Sequence, residues 1–390
     1  MFKTCGLILL LALAPSLPAA EPAKPGRILV QKDGKYLVLD LAGKQLDELT
    51  PKLGKRQVTV GGKTRELPYR DKFVVLLPEG KPLEVQFPEK KRLTDASVSP
   101  DGKYIAFIAP DFPIDLDRDF SYHRSVYVYV WDVKKAQGFL MEIIAQHLAW
   151  APDGTLLAVE AASSKEILAG IFTHWEVDLK TKEKVELKMP EQTRLEAATP
   201  DGKAFISSIY DATEKKMHIA SIDRTADQKV TRLTSHSVSF RTASQRVRVQ
   251  LSPDGSRLLF FDTDPTEEIA KGIPHLYRLY TYDLKAKKRE KLAEVPLNAF
   301  VTETAWAPDS KKVAYLWKRM EPGAAMSFAI DKNGKVVALD LFGKPVDPAK
   351  ANEEAETHLS VADADGKNPK TILSGKARAA GIALVGLSWR

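Results

Sequence analysis

The tetrapeptide small–Pro–Asp–Gly/Ser occurs five times in the 390-residue chain, each time followed by a short apolar run. It stands at Ser99-Pro100-Asp101-Gly102, Ala151-Pro152-Asp153-Gly154, Thr199-Pro200-Asp201-Gly202, Ser252-Pro253-Asp254-Gly255 and Ala307-Pro308-Asp309-Ser310. Successive motif prolines are 52, 48, 53 and 55 residues apart. So regular a register confines the chain to repeat architectures: solenoids, propellers or arrays. The tetrapeptide itself is a turn. Proline presets φ near −65° at the second position, aspartate bonds to nearby backbone, and glycine accepts the left-handed conformation that returns the chain as a hairpin. Ser310 departs from the pattern. A side chain in that conformation costs about 1 kcal/mol, so its turn is expected to be the weakest of the five.

The flanks of each turn read as strands. Residues 96–98, 147–150 and 247–251 precede it, and residues 104–108, 156–159 and 258–261 follow it. The following runs are apolar at consecutive positions, as in a strand covered on both faces. A third strand, such as 125–130 or 275–280, and a fourth ending near 232–234 or 291–292 complete the unit. Four antiparallel strands per ~50 residues, repeated, are the blades of a β-propeller. The expected fold is all-β, a single propeller of four-stranded antiparallel blades.

With Pro-Asp-Gly units and apolar runs of this kind, the chain resembles the WD40-like repeats of TolB-type propellers found in exported bacterial proteins. The likeness covers about residues 92–374 clearly, and 27–51 and 381–390 more faintly. It implies the propeller fold and, by fold analogy alone, a protein partner. TolB-type proteins carry an α/β domain ahead of the propeller. Here only a handful of residues separate the apolar N-terminal segment from the first strand.

The two ends of the chain complement each other. Trp150 and Trp306 each stand two residues before a motif proline, and Trp389 holds the same place relative to the next repeat position. The C-terminal segment therefore reads as an innermost strand. Residues 28–30, 36–41 and 45–49 supply three further strands, so 27–51 and 381–390 are expected to form one closing blade. Such closure removes two exposed sheet edges. Residues 95–374 hold the five repeat blades. Residues 52–94 are either a degenerate blade, with a first hairpin at 57–62 and a later strand at 73–77, or an insertion. At a mean step of about 52 residues, the chain beyond residue 20 favours seven blades over six. Residues 32–47 also match 332–347, including Leu39-Asp40-Leu41 and Leu339-Asp340-Leu341. The second copy is either a hairpin added to its blade or a piece of duplicated blade.

Residues 1–20 carry one charge, Lys3, then an apolar or small run from Gly6 to Ala14 and the pair Ala19-Ala20. A basic start, a short apolar stretch and small residues at the exit read as a secretory signal peptide. The run is far shorter than the ~20 residues that span a bilayer. The mature chain, 21–390, is thus expected in the periplasm or outside the cell, with no transmembrane segment. Cys5 is the single cysteine and leaves with the signal. That excludes a disulfide framework, a thiolate zinc site and a cysteine nucleophile. The basic surplus, 58 Lys+Arg against 51 Asp+Glu, is diffuse, and its densest stretch, 285–291, reads as a solvated turn. An aromatic-rich basic stripe is missing, so nucleic acid is not an expected ligand.

Familiar catalytic motifs are absent from the sequence: there is no Gly-x-Ser-x-Gly, His-Glu-x-x-His, Walker loop or dinucleotide fingerprint. No catalytic residue, metal or cofactor is assigned. The Pro-Asp-Gly turns are short, whereas the second-to-third-strand connections are long, at about 109–124, 161–172, 262–274 and 319–356. Long loops gathered on one rim make that rim the expected binding surface. Its candidate residues are Asp115, Asp117, His123, Arg124, Asp262, Asp264 and Arg319. The alternating aspartates at 115–119 lack the glycine and glutamate of a calcium loop, since Phe120 and Val126 occupy those places. The seven histidines never pair at His-x-x-x-His spacing; His147 reads as structural, and Trp150, Trp306 and Trp389 as packing between blades. The expected function is a non-catalytic binding scaffold for a protein or envelope ligand. The alternatives are a polysaccharide lyase or hydrolase using the acidic and basic groups of the rim, and a structural module of an envelope complex.

Overall fold

The computed structural model describes residues 26–32, 35–50, 53–60, 63–70, 72–86, 88, 93–110, 126–160, 171–211, 213–214, 216–225, 227–236, 249–263, 277–292, 299–319, 327–330, 336–339, 345–346, 356–376 and 385–389. The signal-peptide expectation for 1–20 lies outside them. Among the described residues every regular element is a strand, and no helix is long and apolar enough to cross a membrane.

Six sheets have four antiparallel strands each. Blade 1 joins the chain ends, with Val385–Trp389 beside Ile28–Lys32, then Lys35–Leu39 and Gln45–Leu49. Ile28 stands opposite Trp389 in that pairing. Blade 3 is Thr94–Val98, Tyr104–Pro110, Val126–Asp132 and Gln137–Ile144. Blade 4 is His147–Trp150, Leu156–Glu160, Thr173–Val177 and Lys184–Leu187. Blade 5 is Thr193–Ala198, Ala204–Asp211, Lys216–Asp223 and Val230–His236. Blade 6 is Gln250–Leu251, Arg257–Thr263, Tyr277–Asp283 and Lys288–Lys291. Blade 7 is Ala299–Trp306, Lys312–Arg319, Glu356–Asp363 and Lys370–Lys376.

The second position is a half-blade, Lys72–Leu76 paired with Pro82–Gln86. Its first strand is enclosed from both sides. Val74 and Leu76 join Leu29 and Val38 of blade 1, while Val75, Leu77 and Val85 join Ile105 and Phe107 of blade 3. The same pattern runs round the ring. Ala106 meets Leu148 and Ala158; Leu157 meets Leu195 and Phe205; Ile206 and Ile219 meet Leu258 and Phe260. Leu259 and Leu279 then meet Val313 and Tyr315, and Ala314 and Leu316 close the circle on Ile28 and Val30. Seven clusters thus seal seven interfaces, although only six sheets are complete. Alternate side chains of one strand leave opposite faces, so the second strand of each complete blade contributes to two clusters. Runs such as Leu156-Leu157-Ala158-Val159 are apolar throughout for this reason.

Within residues 52–94 the strand order differs from expectation. Leu53–Val60 pairs with Lys63–Arg70 as a separate hairpin. The strand expected late in that segment, Lys72–Leu76, is instead the first of its half-blade. Leu77-Pro78-Glu79-Gly80 is its turn: the Gly80 N–H donates to Leu77 O at 2.8 Å, and Gly80 has a φ of 76°. This is the Pro-Asp-Gly turn with glutamate in place of aspartate. A Cβ on Gly102 would lie 3.0 Å from Pro78, just as one on Gly255 would lie 2.7 Å from Pro200. The turns at Gly102 and Gly255 therefore rest on the proline of the turn before, whereas Gly154 has open space beside it.

At Ser310 a hydrogen bond takes the place of that contact. Ser310 has a φ of 60°, and its hydroxyl accepts the N–H of Asp254 in the preceding turn at 3.0 Å. The expected weakness of this turn is thereby offset, because a net hydrogen bond contributes about 1 kcal/mol, similar to the conformational cost. Ser310→Ala should lower stability by about 1 kcal/mol in urea unfolding, while Ser310→Gly should stay within about 0.5 kcal/mol of wild type. A clear gain for the glycine variant would mean that the hydroxyl contributes nothing.

The second copy of the internal repeat forms a three-stranded sheet, Ser327–Ile330, Val336–Leu339 and Pro345–Val346. It sits between the second and third strands of blade 7. Its three strands follow the same up-and-down order as Ile28–Lys32, Lys35–Leu39 and Gln45–Leu49 in blade 1. Trp150 and Trp306 do work between blades. The Trp150 indole N–H donates to Ser97 O of blade 3 at 3.0 Å, and Trp306 is buried in the cluster between blades 6 and 7.

Candidate functional site

The second strands end, and the third strands begin, on one ring face, where the connections 111–125, 161–170, 264–276 and 320–355 also leave. The Pro-Asp-Gly turns lie on the other. Of the rim candidates, Asp115, Asp117, His123, Arg124 and Asp264 fall outside the described residues. Arg319 ends the second strand of blade 7, opposite Glu356. Asp262, near the end of the second strand of blade 6, is only 4% exposed, and Arg289 donates to its Oδ2 at 2.5 Å. Arg289 in turn lies 3.6 Å over the Tyr280 ring. Asp262 is therefore a tied-in group beneath the rim rather than an open ligand, because a neighbouring strand places a guanidinium over it.

The structure gathers a different set where blades 4 and 5 meet on this face. In the first strand of blade 5, Leu195 pairs with Ser207 and Ala197 with Ile206, leaving Glu196 as the extra residue of a β-bulge. A bulge bends the strand and re-aims its side chain. Glu196 is 3% exposed, and its Oε1 accepts from Arg194 Nε at 2.9 Å, Arg194 Nη2 at 2.7 Å and Ser208 Oγ at 2.7 Å. Its Oε2 is buried and accepts no hydrogen bond from the described residues. Across the blade boundary, His147 Nε2 is 2.9 Å from the Glu196 carbonyl oxygen. His147 therefore couples two blades, in keeping with a structural role.

His174, on the third strand of blade 4, completes the set. Its Nε2 accepts the Leu195 N–H at 3.4 Å. Burial pushes its pKa down to about 4, opposed by a backbone hydrogen bond at Thr193. At neutral pH it is an uncharged acceptor that holds the bulged strand, and it has no proton to give as a general acid. Because the unfolded imidazole titrates near 6.5, the unfolded chain binds more protons between the two values. Stability from this group is complete above about pH 6.5 and falls as pH drops towards 4. The loss should be roughly 2 kcal/mol by pH 5, read as a falling melting temperature. His174→Phe should flatten that part of the profile; an identical slope in the variant would remove His174 as its source.

Sequence reasoning passed over Arg194, Glu196 and His174. The available signal was two opposite charges at i and i+2 on a strand otherwise bound for the interior. Such spacing puts both side chains on one face. The bulge that swings Glu196 under Arg194 has no comparable signature in one sequence.

No family model matches the chain, and no curated protein matches its sequence. Among solved structures it is similar to TolB from Acinetobacter baumannii, at 15% identity over 94% of this chain and 82% of that one, with a TM-score of 0.48. It is similar also to an oligogalacturonate lyase in complex with manganese, at 15% identity over 72% and 79% of the two chains, TM-score 0.49. A third is the β-propeller domain of the Trilobed protease from Pyrococcus furiosus, of open velcro topology, at 16% identity over 88% and 95%, TM-score 0.41. These are likenesses of fold. Strand pairing and the seven sealed interfaces make the chain a β-propeller, closed by strands from both of its ends.

Proposed function

We propose that the protein is an exported, non-catalytic β-propeller that binds a protein or envelope component through its loop-bearing face. The observation that carries this reading is the asymmetry of the ring. Four long connections leave from one face, whereas the opposite face carries tight hydrogen-bonded turns. A rigid frame with long loops on one side is suited to recognition. Within this reading Asp115, Asp117, His123, Arg124, Asp264 and Arg319 are contact residues, and Asp262, tied to Arg289, is part of the frame. The apolar N-terminal segment supports release into the periplasm or beyond, and N-terminal sequencing of the secreted protein should begin at Glu21.

Photo-crosslinking in living cells tests the reading. A photoreactive residue at position 171, exposed beside the start of the third strand of blade 4 on the loop-bearing face, should give discrete adducts. The same residue at 153 or 309, on the turn face, should give none. Equal labelling from both faces, or none from either, would overturn the proposal. Degradation of an envelope polysaccharide by the purified protein would replace it with the lyase or hydrolase reading.

A further inference from the structure

The turn between the second and third strands of blade 5 brings together three side chains of metal-ligating type. Asp211 ends the second strand, Glu214 lies in the turn, and His218 is the third residue of the next strand. One donor atom from each lies within 4.8 Å of the others. His218 Nε2 is 3.6 Å from Asp211 Oδ2 and 3.7 Å from Glu214 Oε2. His218 is only 7% exposed, and this nitrogen is buried without a hydrogen bond. Both distances are too long for a hydrogen bond of useful strength.

We propose that Asp211, Glu214 and His218 bind a divalent transition-metal ion of the zinc class. Three protein donors leave a fourth position for water or for a donor atom of a ligand. With metal–ligand bonds of about 2.1 Å, the edges of a tetrahedron measure about 3.4 Å, close to the two His218 distances. An imidazole among the donors favours zinc-like ions over calcium or magnesium, which take oxygen alone. The inference goes beyond the binding function proposed above and does not depend on it.

The surroundings orient the donors. Asp211 Oδ1 accepts the N–H groups of Thr213 at 2.8 Å and Glu214 at 2.9 Å, which turns Oδ2 towards His218. On the far side of the ring, His218 Nδ1 is 3.2 Å from Ser235 Oγ, and that oxygen also accepts from Arg232 Nη2 at 2.8 Å. A partner on the second nitrogen fixes the ring, as at most histidine metal sites. Both carboxyls are held below their ordinary pKa values, Asp211 chiefly by the backbone N–H of Glu214, and Glu214 chiefly by Arg232. They are therefore deprotonated and ready to ligate. Arg232 is the competitor. Its fork donates to Glu214 Oε1 at 3.1 Å and Oε2 at 3.2 Å from a side chain 49% exposed. Each carboxylate oxygen has two lone-pair directions, so Oε2 can serve both cations.

Calorimetric titration of the chelator-stripped mature chain with zinc chloride at pH 7 tests the site. One equivalent should bind, and saturating zinc should raise the melting temperature. Asp211→Asn and His218→Gln should each weaken binding at least about tenfold and lose the thermal shift, with an unchanged far-ultraviolet spectrum showing that they fold. Arg232→Gln should tighten binding by freeing Glu214. Calcium should bind far more weakly than zinc. The proposal is overturned if zinc binds below one equivalent, if either ligand variant binds like wild type, if Arg232→Gln leaves affinity unchanged, or if calcium matches zinc. It also falls if His218 takes up only a proton, titrating by NMR with no response to zinc.

Discussion

Removing residues 381–390 should abolish cooperative folding, or lower the melting temperature so far that little native protein remains at 37 °C. The deletion takes away Val385–Trp389, which pairs with Ile28–Lys32 and packs beside the first strand of blade 7. Ile28, Leu29 and Val30, all buried, would then lie on an open sheet edge. Fully burying one such side chain contributes about 1.5–3 kcal/mol. Losing about half of that at three positions, together with the ladder hydrogen bonds, comes to the order of 5 kcal/mol. Whole domains are typically stable by about 5–15 kcal/mol. The exposed edge should also pair with other copies, giving oligomers by size exclusion. Circular dichroism melts of the truncated chain check this directly, and an unchanged midpoint would show that the ring is not closed through this strand.

Glu196→Ala should be the most damaging single change on the loop-bearing face. It removes the acceptor for two Arg194 donors and for the Ser208 hydroxyl. Breaking a buried ion pair by deleting one partner typically costs about 3–5 kcal/mol, since the other charge stays buried. Arg194 retains 15% side-chain exposure, so a loss near the lower limit, about 3 kcal/mol, is expected. Glu196→Gln should cost less, because an amide oxygen still accepts from Arg194. If the two variants prove equally stable in urea unfolding, the charge at Glu196 adds nothing beyond its shape. If both match wild type, the Arg194 contact is no part of the frame.

The repeat was legible because its physics is local. A Pro-Asp-Gly turn needs particular residues at consecutive positions, and a strand covered on both faces needs consecutive apolar ones. The closing blade was legible for a related reason: Trp389 keeps the register of Trp150 and Trp306. Blade number was harder to read. Leu77-Pro78-Glu79-Gly80 makes the same turn with one carboxylate exchanged for another, so a search for aspartate passes over it. Nothing in the sequence of this segment announces that, among the described residues, the sheet of Lys72–Leu76 holds two strands where its neighbours hold four.

The candidate sites depended on the fold. Asp262 looks like an exposed acid at the end of a strand, yet Arg289, 27 residues later, folds over it. Glu196 and His147 stand 49 residues apart and meet because neighbouring first strands converge at the blade boundary. Asp211, Glu214 and His218 are close in sequence, but only antiparallel pairing across the turn directs their side chains to one point. The repeat, its turns and the strand that closes the ring are written in residue order, because residue order governs short-range geometry. Tertiary structure decided which charges are buried, which are paired and which converge. Those outcomes depend on side chains brought together from separate blades, and one sequence does not encode that distance locally.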